Sequence, residues 1–126
     1  MRAIGVNNFG GPETLERLDL PVPEPGPGEV RVRVARAGIN FIDIYMRSGA
    51  YRKSDTYKTP LPMVLGMEGA GTVDATGPEV ENLAPGDPVA WCIHRGAYAE
   101  HAIVPAWKLV SVPRDCLLYT SDAADE

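Results

Sequence analysis

The chain has 126 residues, room for one domain, and its 44% hydrophobic and 23% charged composition is that of a globular protein. The net charge of −5 disfavours nucleic acid and anionic membranes as partners, and no segment resembles a signal peptide or a membrane span. Cys92 and Cys116 form neither a disulfide framework nor a metal-ligand spacing, so we expect a cytoplasmic protein.

Short β-strands joined by turns are the main prediction, because 13 glycines and 12 prolines spread along the chain disfavour long helices. The clearest strand is "EVRVRVARA", in which valine and arginine alternate so that one face is buried and the other exposed. The prolines of "PVPEPGPGE" predict an extended linker before it, and "AYRKSDTYKTPLP" predicts a polar loop over residues 50 to 62. In chain order, the other predicted strands are "MRAIGVNN", "TLERLDLPV", "EGAGTVDATG", "LAPGDPVAWCI", "GAYAEHAIVP" and "WKLVSVP".

One short helix is predicted in "INFIDIYMRSG". Asn40 is a good N-cap, and the carboxylate of Asp43 suits the positive start of a helix. Ile39 and Ile44 have the spacing of a hydrophobic staple, and Gly49 can end the helix.

These elements describe a small, mainly β, barrel-like domain over residues 1–113. Residues 114–126 are predicted to be a non-native or disordered tail, because "CLLYTSDAADE" departs from the pattern of strand and turn. That segment resembles the translation of a transposase-type sequencing adaptor, and the alternative is a natural acidic tail. We therefore expect the natural protein to continue past Asp115, so that this chain is a fragment.

The stretch "LGMEGAGTV", residues 65 to 73, has three glycines around one glutamate and allows three interpretations. A dinucleotide-binding loop has the spacing G-x-G-x-x-G between a strand and a helix. Here the spacing is G-x-x-G-x-G, a β-branched segment follows, and the anionic Glu68 would repel a phosphate. The phosphate interpretation therefore fails.

A metal site is the second interpretation, and it lacks ligands. His94 and His101 lie on separate predicted elements and Cys92 is alone, whereas zinc needs three or four convergent ligands. We interpret both histidines as surface or turn residues. The remaining interpretation is that the glycines mark positions where another backbone or a ligand approaches closely.

Four ordered blocks now show a family resemblance: "AGINFIDIYMRSGAY", "LGMEGAGTV", "APGDPV" and "GAYAEHAIVP". Together they resemble the medium-chain dehydrogenase/reductase superfamily, and within it the zeta-crystallin-type NADPH:quinone oxidoreductases. The resemblance covers residues 1 to 113 and implies a GroES-like, partly open β-barrel with one or two short helices. In that family this domain forms one wall of the active-site cleft, and a Rossmann domain, absent here, follows it.

The resemblance also implies chemistry without zinc. The zinc-dependent alcohol dehydrogenases of the superfamily carry cysteine where Asn40 stands and histidine where Met67 stands, and the segment that holds a structural zinc is missing here. Pro88 departs from the arginine that is common in the family, which puts the local strand pairing in doubt.

The resemblance places the candidate site in the block "NFIDIY". Five residues are implied to lie beside the nicotinamide end of NADPH, which the downstream domain would mainly bind: Asn40, Phe41, Ile42, Asp43 and Ile44. Tyr45 is the candidate for orienting the substrate.

Each candidate has a structural alternative. Asn40 can act only as the N-cap, Tyr45 can simply line a wall, and Asp43 is better explained as a capping carboxylate. Phe41 and Ile42 are interpreted as packing residues.

Four further residues are assigned outside the block. Arg47 and Tyr51 are candidates for the rim of the cleft, whereas Glu68 and Tyr98 are interpreted as buried hydrogen-bonding residues.

The leading hypothesis is that the parent protein is a zinc-independent oxidoreductase that transfers hydride from NADPH to a quinone, and that the isolated chain is inactive. The first alternative is an enoyl or alkenal reductase acting on an unsaturated carbonyl. The second is a non-enzymatic GroES-like module or a structural crystallin. The parent is expected to be a homodimer or homotetramer.

Overall fold

The structure is a computed structural model that describes residues 1–57 and 59–113. It contains eight strands in this part of the chain: β1 (Arg2–Val6), β2 (Glu16–Asp19), β3 (Glu29–Ala37), β4 (Met63–Val64), β5 (Glu68–Thr76), β6 (Pro88–Cys92), β7 (His101–Pro105) and β8 (Val110–Ser111). One α-helix, α1 (Phe41–Ser48), lies between β3 and β4, and two 3₁₀ turns cover Pro12–Thr14 and Ala106–Lys108. The segment that resembles an adaptor, and the predicted tail over residues 114–126, lie outside the described residues.

The strands form two antiparallel sheets that do not close into one barrel. The smaller sheet has the order β2-β1-β4 and the larger has the order β7-β3-β5-β6-β8. This confirms the prediction of a mainly β, partly open fold with one short helix. Within the described residues no helix combines the length and apolar character that crossing a membrane requires.

A seam of backbone hydrogen bonds joins the two sheets. The amide of Ile4 on β1 donates to the carbonyl of Tyr98 at 2.8 Å, and the amide of Glu100 donates to the carbonyl of Arg2 at 3.1 Å. Between these bonds, Ala3 and Ala99 form an isolated antiparallel bridge. The segment before β7 therefore ties the larger sheet to the smaller one.

Strand β3 shows how far the valine–arginine alternation determines burial. Val30 and Val32 are fully buried at 0% exposure, as the alternation predicts. The pairing with β7 ends at Arg33, and residues 35 to 37 are exposed. The alternation therefore predicts burial only along the part of β3 that also pairs with β7.

Three strand predictions need correction. "WKLVSVP" starts as the 3₁₀ turn Ala106–Lys108, and only Val110–Ser111 pairs as a strand. "GAYAEHAIVP" is a strand only over His101–Pro105. The prediction missed β4, because its two residues pair with β1, more than fifty residues away, and leave no local pattern.

Helix α1 begins after Asn40 and ends before Gly49, as predicted. Gly49 has a φ of 86°, a left-handed conformation that glycine adopts without strain. The hydrophobic staple was a wrong expectation, because Ile39 is 87% exposed. Ile39 and Ile44 instead line an open groove.

Two hydrophobic clusters form the core. The larger one is formed mainly by side chains of the five-stranded sheet and includes Val30, Val73, Val89 and Trp91. The smaller one consists of Val6, Met46, Met63 and Leu65, and so packs α1 against the three-stranded sheet. The position of α1 is therefore set by the smaller cluster.

Pro88 does not disrupt the pairing of β6. It stands opposite Thr72 at the first position of the strand, and its carbonyl accepts a hydrogen bond of 2.9 Å from the amide of Val112. A proline is tolerated at the start of a strand, so the doubt about local pairing is removed.

The glycines of β5 mark close backbone approaches, which confirms the interpretation from the sequence. A Cβ added at Gly71 would lie 2.0 Å from the carbonyl oxygen of Arg33 on the neighbouring strand. A Cβ at Gly69 would lie 2.7 Å from the ring of Trp91. These positions require glycine for packing and not for holding a phosphate.

We predict that Gly71→Ala destabilises the fold by about 1–3 kcal/mol, because the added methyl group must displace backbone. Gly11→Ala is the matched control, since the atoms nearest its added Cβ belong to the flexible side chain of Glu13. Urea unfolding followed by circular dichroism measures both. Equal free energies of unfolding for the two variants would contradict the close-packing explanation.

Candidate functional site

An apolar groove of about 410 Å³ lies along one side of α1. Its lining includes Ile4, Leu15, Ile39, Asn40, Ile44 and Tyr98. Of the predicted cofactor-side residues, the structure brings Asn40, Asp43 and Ile44 together in this groove. Next to it, Phe41 is 78% exposed, so it is not packed within the described residues. Ile42 packs against the smaller cluster, which agrees with its interpretation as a packing residue.

Asp43 is the buried charged residue at the start of α1, with 6% exposure. Its Oδ2 accepts a hydrogen bond of 2.9 Å from the backbone amide of Asn40, which confirms its capping role. The same oxygen accepts a hydrogen bond of 2.8 Å from the hydroxyl of Tyr98. Its Oδ1 is buried and has no hydrogen-bond partner among the described residues.

Tyr98 is held as a hydrogen-bond donor. Burial raises the pKa of its phenol, and the hydrogen bond to Asp43 and the negative charges of Asp43 and Glu68 raise this pKa further. A phenol that keeps its proton and donates a hydrogen bond to Asp43 is a structural residue, as the sequence suggested for Tyr98.

Three tyrosines form a row that begins on α1 with Tyr45. The ring centroids of Tyr45 and Tyr51 are 6.0 Å apart with an edge-on angle of 81°, and those of Tyr51 and Tyr57 are 5.1 Å apart. We call Tyr45, Tyr51 and Tyr57 the tyrosine row. Tyr45 is 47% exposed. It contacts Tyr51 and does not line the apolar groove with Asn40.

Arg47 is held in place at the apolar groove. Its Nε donates a hydrogen bond of 3.2 Å to the carbonyl of Gly10, and its side chain lines the groove. The bond holds the segment before β2 against α1, and a role of Arg47 at the rim of a cleft stays a prediction.

The residues considered as metal ligands do not converge. Nε2 of His94 lies 3.0 Å from the carbonyl of Ile103, whereas Nε2 of His101 lies 3.6 Å from a carboxylate oxygen of Asp74. Cys92 is exposed. Within residues 1–57 and 59–113, no group of three or more histidine, cysteine or acidic residues could hold a metal ion.

The adjacent residues Met67 and Glu68 have different environments. Met67 is buried at 5% exposure. Glu68 is half-buried, and its carboxylate forms no hydrogen bond within the described part of the chain, so its interpretation as a buried hydrogen-bonding residue was wrong. The carboxylate instead occupies space beside Gly38, where an added Cβ would lie 1.7 Å from Oε1.

A second cavity, of about 280 Å³, lies beyond the tyrosine row. We call it the basic recess and define it by Met46, Tyr57, Met67, His94, Arg95 and Lys108. The sequence did not indicate it, because Arg95 and Lys108 lie on separate connections after β6 and β7. Only Tyr57 left a local signal, since tyrosines at positions 45, 51 and 57 recur at a spacing of six.

His94 is kept neutral in the basic recess. Burial lowers its pKa first, and the positive charge of Lys108 lowers it further, although the contact with the Ile103 carbonyl acts in the opposite direction. Because a carbonyl can only accept, Nε2 carries the proton and Nδ1 faces Lys108 as an acceptor.

Comparison with known proteins identifies close relatives. The family model of the alcohol dehydrogenase GroES-like domain matches residues 26–114. The quinone oxidoreductase of Pseudomonas aeruginosa is 48% identical over 106 residues, which are 83% of this chain and 31% of that protein. The 2-haloacrylate reductase of a Burkholderia species is 36% identical over 111 residues, which are 87% of this chain and 33% of that protein.

A solved structure shows the same fold. The crystal structure of Escherichia coli quinone oxidoreductase complexed with NADPH matches with a TM-score of 0.86 and 32% identity, covering 98% of this chain and 37% of that one. The chain spans about a third of the length of the curated relatives it matches.

We predict that His94 makes the fold less stable in acid. Its pKa is lowered in the folded chain, so the unfolded chain binds its proton first as the pH falls below about 6.5, and unfolding is favoured. Replacing it by His94→Gln should therefore reduce the loss of stability between pH 7.5 and pH 5.5, by at most about 1.4 kcal/mol per pH unit. Urea unfolding of both proteins at the two pH values measures this, and parallel pH profiles would contradict it.

Proposed function

Because the chain belongs to the alcohol dehydrogenase GroES-like domain family of the medium-chain dehydrogenases/reductases, we propose that it is the substrate-side part of a zinc-independent oxidoreductase that reduces a quinone with NADPH. The relatives named quinone oxidoreductase support the substrate, and the NADPH complex of the Escherichia coli protein supports the cofactor. A cytoplasmic location and a homodimeric or homotetrameric parent remain predictions.

The single observation that carries the proposal is the pair of cavities that residues of α1 help to line. The helix places Asn40 and Ile44 in an apolar groove and presents Tyr45 to an aromatic row. A planar acceptor and a planar nicotinamide both need flat, apolar walls with few polar groups. Residues of α1 contribute both to the apolar groove and to the tyrosine row.

The apolar groove fits the nicotinamide end of the cofactor and does not fit its phosphates. Its lining is mostly apolar, and Asn40 adds an amide that can hydrogen-bond a carboxamide or a ribose hydroxyl. The glycines at 66, 69 and 71 have the wrong spacing for a phosphate-binding loop and serve close packing. We therefore assign the nicotinamide end to this chain and the phosphates to the part of the parent that follows.

When bound, NADPH supplies the hydride. This chain must then stabilise the acceptor oxygen that becomes anionic, and hydrogen-bond donors can do so without a metal. The hydroxyl of Tyr45 forms no hydrogen bond within the described residues and so can donate to that oxygen. Tyr98 is unsuited to this role, because its hydroxyl already donates a hydrogen bond to Asp43.

The proposed independence from zinc rests on side-chain chemistry. Where the zinc-dependent members have cysteine and histidine, this chain has the amide of Asn40 and the thioether of Met67. An amide and a thioether are weak ligands for zinc compared with thiolate and imidazole.

A second candidate function is reduction of an α,β-unsaturated carbonyl compound. The observation that favours it is the 36% identity to a protein named 2-haloacrylate reductase. The residues placed at the site are the same for both functions, since each needs a hydride donor and a stabilised oxygen. Assay of the intact parent with a quinone and with an acrylate separates them.

We predict that Tyr45→Phe in the intact parent lowers kcat/KM for a quinone about tenfold, which corresponds to about 1.4 kcal/mol of lost stabilisation. Ser48→Ala is the control, because it removes a hydroxyl from the same helix outside both cavities. Steady-state NADPH oxidation measures both. An unchanged kcat/KM for Tyr45→Phe would remove Tyr45 from the proposed site.

We also predict that dialysis of the intact parent against EDTA leaves quinone reduction unchanged. The reason is that neither Asn40 nor Met67 offers a strong zinc ligand. The same assay before and after dialysis checks this. Activity that is lost on chelation and returns with zinc would contradict the zinc-independent mechanism.

A further inference from the structure

The basic recess concentrates positive charge in a chain that is acidic overall. Arg95 and Lys108 both line it, and its lining includes no carboxylate among residues 1–57 and 59–113. Neither side chain forms an ion pair with an acidic residue in the described part of the chain. With 17 acidic and 12 basic residues in the sequence, composition does not explain this arrangement.

Arg95 is fixed in place with donors to spare. One of its terminal nitrogens donates a hydrogen bond of 3.0 Å to the carbonyl of Val64, which holds the guanidinium against β4. Burial lowers its pKa, but a guanidinium remains charged at neutral pH. Its other N–H groups have no hydrogen-bond partner among the described residues, and their planar arrangement suits a carboxylate.

Lys108 is also held in position. Its ammonium donates to the carbonyl of Ile93 at 3.1 Å and to the neutral Nδ1 of His94 at 3.4 Å. It lies 5.3 Å from the ring centroid of Trp107. An ammonium has three donors, so one is left for a ligand. A cation that is already ordered loses little conformational entropy when an anion binds.

The remaining walls fit a flat organic molecule. Met46, Met67 and Ile93 supply apolar contacts, and Tyr57 belongs both to the recess and to the tyrosine row. A ring that packs along the tyrosine row can therefore place a substituent beside the two cations.

We propose that the basic recess binds a carboxylate carried by the electron acceptor, so that the substrate class is an anionic, carboxylate-bearing quinone or unsaturated carbonyl compound. This inference rests on the proposed function for the identity of the acceptor. It goes beyond that function by adding a charge requirement and two specificity-determining residues, Arg95 and Lys108. The binding of the anion itself needs neither NADPH nor turnover.

The test is a titration of the 126-residue chain by two-dimensional NMR. The probes are anthraquinone-2-carboxylate and 2-(hydroxymethyl)anthraquinone, which share a ring system that offers the exposed Cys92 no open position for thiol addition. We expect the carboxylate to bind at least tenfold more tightly, with the largest shifts at the amides of Arg95 and Lys108. Equal affinity for the two probes would overturn the proposal.

Substitutions locate the binding. Arg95→Gln and Lys108→Gln should each weaken carboxylate binding at least fivefold and leave binding of the neutral probe within twofold. Arg33→Gln and Lys53→Gln are matched controls, because these exposed cations lie outside the recess. Amide dispersion in the same spectra shows whether each variant is folded. If Arg95→Gln and Lys108→Gln are both folded and neither weakens carboxylate binding, the proposal is overturned.

A third arm separates an acceptor site from a general anion site. Inorganic phosphate should compete with anthraquinone-2-carboxylate only at concentrations at least a hundredfold higher. Competition at equal concentrations would show that the recess binds any anion and would overturn the assignment to the acceptor. Because no arm involves hydride transfer, failure of the proposed activity in the parent would leave these binding results intact.

Discussion

The buried carboxylate of Asp43 fixes the start of α1, the helix that contributes residues to both cavities. It caps the first turn of α1 through the amide of Asn40 and accepts the hydroxyl of Tyr98 from the segment that joins the two sheets. An unpartnered charge at 6% exposure would be costly, so this geometry is strongly specified. The helix cannot rotate without losing one of these bonds, and the positions of Asn40 and Tyr45 follow from that.

The two cavities differ in a way that suits two different ligands. The groove beside Asn40 is apolar, whereas the recess beside Lys108 carries charge, and α1 contributes residues to both. The effective dielectric constant is lower in a confined recess than on an open surface. Two cations in the recess therefore interact more strongly with an anion bound there than the acidic residues on the surrounding surface do. The chain can therefore be acidic as a whole and still select an anion locally.

Local signals explain which features could be predicted from the sequence. Asn40, Asp43 and Gly49 define the helix through capping chemistry within a few residues, and the glycines of β5 mark close approaches that the structure shows. The candidate residues Asn40, Asp43 and Ile44 were named from a family resemblance carried by one block of sequence, and the structure shows that they line one groove. β4 and the basic recess depend on residues far apart in the chain, so no local pattern could reveal them.

The seam between β1 and the segment around Ala99 couples the two sheets to the helix. Its backbone hydrogen bonds join Arg2 with Glu100 and Ile4 with Tyr98, and the hydroxyl of Tyr98 also donates a hydrogen bond to Asp43. Separating the sheets would therefore also disturb the hydrogen bond from Tyr98 to the carboxylate that caps α1. Fraying that starts in the small sheet is transmitted to α1 and the groove beside it, so the domain should open as one cooperative unit and not sheet by sheet.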